Sequence, residues 1–69
     1  MIDLSLPVPA LTTEDLHRCA LRELVRRKRA YPNRIETGRM TVEIAAAEIM
    51  KMQAIVDLLA ELARSERLL

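Results

Sequence analysis

Apolar side chains recur at helical spacing from the first third of the chain onward. Leu21, Leu24, Lys28, Tyr31 and Ile35 are separated by 3, 4, 3 and 4 residues, with Leu16 and Ala20 beside them. That is one stripe of an amphipathic helix, and Lys28 fits it if its methylene stem lies inward and its amine reaches water. Thr12 or Thr13 can cap the N-terminus, with Glu14 and Asp15 in the first turn, where the helix dipole favours anions. The stripe keeps its phase across Pro32. Proline costs about 3 kcal/mol inside a helix and disfavours helical geometry at the residue before it. The pattern therefore predicts a first helix from Thr13 to Thr37, kinked or briefly interrupted at Pro32. Gly38 suits the left-handed position that ends it.

A second pattern begins at Thr41, a good N-cap with Glu43 in the turn that follows. The run "VEIAAAEIMKMQAIVDLLAELARSE" holds no glycine or proline and is rich in strong helix formers. Two long helices of matching length, joined by a few residues, must run antiparallel. Pairing positions whose numbers sum to about 80 sets Leu21 opposite Leu59, Leu24 opposite Val56, Tyr31 opposite Ile49 and Ile35 opposite Ala45. Apolar meets apolar each time. The predicted fold class is all-α, an antiparallel helical hairpin over residues 13–69.

The second helix has more apolar surface than one neighbour covers. Its apolar residues span about 180° of its circumference, of which the first helix takes roughly half. Ile44, Ile55, Leu58 and Leu62 are left over. Self-association into a dimeric four-helix bundle is the simplest use for them, and docking of another protein is the rival. Residues 1–12 read differently. Ile2, Leu4, Leu6 and Val8 alternate with Asp3, Ser5, Pro7 and Pro9, which indicates an extended N-terminal segment. It either lies over an apolar groove or forms a free tail.

Size sharpens the case for a second partner. A chain of 69 residues is marginal as a lone core. With Cys19 the single cysteine, no internal disulfide can help, and a reducing, cytoplasmic setting fits. No basic-then-apolar leader is visible, and Glu48, Lys51 and Asp57 interrupt the longest helical run, so neither a signal peptide nor a membrane span is expected. Tyr31 is the only aromatic residue, which rules out a base-stacking platform.

The formal net charge of +1 hides an asymmetry: residues 17–39 carry eight cations against Glu23 and Glu36. Arg18, Arg22, Arg26 and Arg29 are spaced 4, 4 and 3 and share one helix face, with Arg34 further along. Guanidinium forks suit carboxylate and phosphate. This face is a candidate site for an acidic protein surface or a nucleic-acid backbone, and otherwise a solvated surface. Glu48 falls in the apolar arc of the second helix, across from Arg27, Lys28 and Tyr31. A carboxylate there must be paired, hydrogen-bonded or protonated. Glu48, Lys28 and Tyr31 are thus expected as a structural polar group, with a role for Glu48 in interface specificity as the sharper alternative.

Nothing points to an enzyme. His17 and Cys19 lie about 200° apart on the helix and cannot form a dyad. Glu14 and His17 have a carboxylate–histidine spacing used in di-iron bundles, but Glu48 is too far along the hairpin to complete such a site. No catalytic residue, cofactor, metal or small-molecule substrate is expected, and Gly38, the lone glycine, precludes a phosphate-binding loop.

Several short runs accumulate into a pattern: "REL" at 22–24, "YPNRI" at 31–35, "GRMT" at 38–41 and "EIMKMQAIVDLL" at 48–59. This resembles short, mostly uncharacterised helical proteins encoded by bacteriophages and prophages of proteobacteria. The chain departs from that pattern at Arg34, where relatives often carry tryptophan. The resemblance implies a small accessory protein in the cytoplasm of a bacterial host, one that binds and redirects a host protein such as defence or regulatory machinery. A nucleic-acid-binding accessory protein and a structural subunit of a phage assembly are the alternatives. An acidic protein surface is favoured over nucleic acid as the partner of the basic face.

Overall fold

Thr12 opens the first helix. In a computed structural model, which describes residues 11–68, α1 spans Thr13–Glu36 and α2 spans Val42–Arg67. Of the two threonines that could cap α1, Thr12 does so, in a reciprocal capping box. Its hydroxyl accepts from the Asp15 backbone N–H at 3.0 Å, and the Asp15 carboxylate accepts from the Thr12 N–H at 3.3 Å. Thr41 caps α2 in the simpler way, accepting from the Ile44 N–H at 3.1 Å. Most of the extended segment expected at residues 1–12 lies outside the described residues.

α1 ends at a glycine for a physical reason. Gly38 has φ +75°, a conformation in which a Cβ would be strained. The Gly38 N–H donates to the Ile35 carbonyl at 3.1 Å and the Arg39 N–H to the Arg34 carbonyl at 2.8 Å. These two bonds form a Schellman motif, which satisfies carbonyls that the helix end would leave free. The chain then turns and re-enters helix at Val42.

Pro32 does not interrupt α1, which continues through it to Glu36. The break considered from the sequence is absent. Proline removes the N–H that would bond the Lys28 carbonyl, but Lys28 and Pro32 are both exposed, so water can reach that group.

Among the described residues α1 and α2 are the regular elements, and they pack against each other as a hairpin. Ala20, Leu24, Met52 and Val56 form the central cluster, with Ile49 and Leu59 packed against it. Tyr31, Ala45 and Ala63 are buried at other levels. Cross-hairpin bonds confirm the register. The Thr13 hydroxyl donates to Glu66 at 2.8 Å, and Arg67 meets Glu14 at 3.4 Å.

The inward face of α1 is rotated slightly from the expected stripe. Leu24 and Tyr31 are buried and Ile35 half-buried, but Leu21 and Lys28 are exposed. Ala20 and Arg27 turn inward in their place. An ammonium directed at the core needs an acceptor there. On the Arg27 side α2 offers Glu48; one residue further round it offers Ile49, so the guanidinium goes in and Lys28 stays in water.

Candidate partner-binding faces

Two faces of the hairpin hold the residues that the sequence singles out. One lies on the flank shared by Arg27 and Glu48, the other on the side of α1 turned away from α2.

One face centres on the Arg27–Glu48 pair. Arg27 is 25% exposed and Glu48 36% exposed at the side chain, with Nη1 to Oε2 at 3.7 Å. The same Nη1 donates to the Glu48 backbone carbonyl at 3.0 Å, and Nε donates to Glu23 at 3.0 Å. That hydrogen bond to Glu23 is the main cause holding the Arg27 pKa above its ordinary value. Lys51 gives Glu48 a second partner at 3.2 Å. Of the polar trio expected from the sequence, Glu48 is paired as anticipated through Arg27, while Lys28 takes no part. The Tyr31 ring is buried, and among the described residues it bonds no carboxylate. No buried side-chain polar atom among the described residues lacks a hydrogen-bond partner.

α2 also exposes apolar residues. Ile44, Ile55, Leu58 and Leu62 are between 47% and 61% exposed. Ile44, Ile55 and Leu62 share the side of α2 that carries Glu48, and Leu16 shares the side of α1 that carries Arg27. Lys51 falls in the same row, so that 51, 55, 58 and 62 are spaced 4, 3 and 4. This is the spacing with which one helix packs along another.

The other face is the outer surface of α1. Arg18, Arg22, Arg26 and Arg29 all lie exposed on it. Arg18 is held by Glu14 and Asp15 at 3.8 and 3.7 Å, and Arg26 by Glu23 at 3.4 Å. Among the described residues, Arg22 and Arg29 have no carboxylate within ion-pair distance. Arg34 does not join this group. It lies toward the flank near Arg27, with its guanidinium 5.4 Å from the Tyr31 ring centroid.

The sequence reading missed part of this surface. Leu21 is 37% and Val25 46% exposed, and with Arg22, Arg26, Arg29 and Ala30 they line an open groove along the helix. The stripe spacing predicts Leu21 to be buried. Val25 fitted neither the apolar stripe nor the basic one, and that mismatch was the available signal.

Among the described residues, no three histidine, cysteine, aspartate or glutamate side chains gather as metal ligands would. Cys19 is exposed and His17 half-buried on different faces of α1. No described helix is long and apolar enough to cross a membrane. Compared with known proteins, the chain matches no family model, no curated protein and no solved structure.

Proposed function

We propose that this chain is a small, non-enzymatic accessory protein of phage type that binds and modulates a host protein. Arg22, Arg26 and Arg29 engage an acidic surface of that protein. Ile44, Ile55, Leu58 and Leu62 pair two copies into a four-helix bundle, with Glu48 and Arg27 setting the register of the pair. The phage-type reading rests on the resemblance carried by residues 22–59, and a place in the host cytoplasm rests on that and on the lone cysteine.

The observation that carries the partner class is the exposure of Leu21 and Val25 among the arginines. A phosphate backbone offers such residues nothing apolar, whereas a protein surface offers both carboxylates and apolar side chains. Pairing of two copies is supported by the thin core. Among the described residues, three of the seven buried ones are alanine, and no large side chain falls below 2% exposure. A hairpin of this size gains the apolar burial it lacks by covering the α2 face.

The test compares capture of host proteins by the unaltered chain and by the Arg22→Glu, Arg26→Glu, Arg29→Glu variant. The expected result is an acidic protein held by the first and lost by the second, with circular dichroism showing equal helicity. Retention of the same protein by the variant returns the arginines to a solvated surface. Gel shifts with duplex DNA at about 50 mM salt test the rival. Retardation with a log–log salt slope near −0.9 per phosphate contact would replace the protein reading with nucleic acid.

A further inference from the structure

We infer that the groove on the outer face of α1 receives a helix of the partner, apolar along a row of every fourth residue and acidic on both flanks of that row. This rests on the reading that the face binds an acidic protein, and it specifies the form of that protein's contact. The groove is lined by Leu21, Arg22, Val25, Arg26, Arg29 and Ala30. These residues form two parallel rows with a spacing of four, Leu21–Val25–Arg29 and Arg22–Arg26–Ala30. Two such rows are the ridges that bound a helix groove, and the matching object is a ridge of the same spacing on another helix. The axes then cross near −50°, the commonest arrangement of packed helices.

Three other occupants fit less well. An extended strand would lay its backbone N–H and C=O groups over Leu21 and Val25, where α1 offers no backbone partner, whereas a helix satisfies its own. A nucleic acid would leave the apolar part of the groove unused. A second copy of this chain would set Arg22, Arg26 and Arg29 against themselves across a two-fold axis. Charge instead selects carboxylates. Arg22 and Arg29 stand on opposite ridges near opposite ends of the groove, and neither has a carboxylate partner among the described residues. An acidic residue on each side of the partner's apolar row therefore meets one of them, and Arg26 can add a third contact. The lining residues cover about three turns of α1, roughly 15 Å, so the partner presents about three apolar residues.

The probe is a labelled, alanine-based helical peptide of about 20 residues. It carries leucine at every fourth position over three turns and glutamate on both sides of that row. Two companions replace the leucines with alanine or the glutamates with lysine. Fluorescence anisotropy with the full chain is expected to show binding of the parent peptide, weakening by about tenfold or more without the leucines, and none with lysine. Val25→Lys in the chain adds positive charge but closes the groove. It should weaken the parent peptide by about tenfold, whereas a purely electrostatic face would bind it at least as well. The peptide comparison stands even if that variant loses helicity. Equal affinity for the leucine and alanine peptides overturns the inference and leaves the acidic-surface reading standing. Failure of both acidic peptides to bind overturns the inference and the reading beneath it.

Discussion

α1 and α2 have nearly the same length, 24 and 26 residues, and each packs on the other, yet their outward surfaces are unlike. α1 turns arginines to solvent, with Leu21 and Val25 between them. α2 turns Ile44, Ile55, Leu58 and Leu62 outward on one side. The difference teaches that the width of an apolar arc reports how many neighbours a helix is built for. α2 alone does not cover α1 either: Leu16, Leu21 and Val25 stay exposed, the last two set among arginines. The arc of α2 likewise exceeds what α1 covers, and its surplus, Ile44, Ile55, Leu58 and Leu62, is where the proposed second copy would pack.

Leu24 is buried against the Met52–Val56 cluster, so Leu24→Ala should cost about 2–5 kcal/mol in denaturant unfolding. Leu58→Ala, made on the exposed side of α2 and measured at high dilution, should stay within about 0.5 kcal/mol. Equal costs would show that the two positions do not differ in burial.

Pro32→Ala comes next. α1 is continuous there, and alanine is worth up to about 3 kcal/mol over proline in a helix interior. A gain of roughly 1–3 kcal/mol is expected, the lower figure if fraying near Glu36 matters. Loss of stability would mean that the hairpin needs a bend at this turn.

Glu48→Ala separates a lone hairpin from a paired one. In a lone hairpin the carboxylate is partly exposed and shared between Arg27 and Lys51, so its loss should cost about 1 kcal/mol. If a second copy covers the pair, the cost should rise toward about 3–5 kcal/mol at high protein concentration, since Arg27 is then left buried and unpaired. No change at either concentration would remove Glu48 from any structural role.

The smallest effect lies at the start of α1. Hydrogen bonds from Thr12 to the Asp15 carboxylate hold its pKa below the ordinary 3.8. A depressed folded-state pKa contributes stability above the unfolded value and loses it as pH falls through the folded one. Asp15→Asn should therefore flatten the fall in thermal stability below about pH 4 and be otherwise mild. An unchanged acid limb would show that the capping box adds nothing.

Much of the hairpin was legible because it rests on local rules. Thr12, Gly38 and Thr41 act through caps and a turn that depend on one residue each, and the 3–4 spacing through Leu24 and Tyr31 gives the buried side. The pairing of helices followed from matched lengths and a short turn. What was not legible is angular. Arg27 and Lys28 are neighbours at similar distances from the centre of the buried face, and only the side on which α2 presents Glu48 decides between them. The same small rotation exposes Leu21 and creates the groove with Val25. Arg34 shares the cationic character of the outer arginines, but twelve residues after Arg22 the helix has carried it round to Tyr31. Spacing alone groups residues by face only over a few turns, and a single register contact can shift which face that is.

The measurement that reaches the centre of this account is the mass in solution, by light scattering, of three chains at the same high concentration. These are the unaltered protein, the Arg22→Glu, Arg26→Glu, Arg29→Glu variant, and the Leu58→Glu, Leu62→Glu variant. If the two outward faces do separate work, the first two should each have about twice the 7.9 kDa of one chain, and the third should fall to a single chain or unfold. An unaltered protein with the mass of one chain would contradict pairing through α2. A triple glutamate variant that loses its partner copy would contradict the separation of the faces.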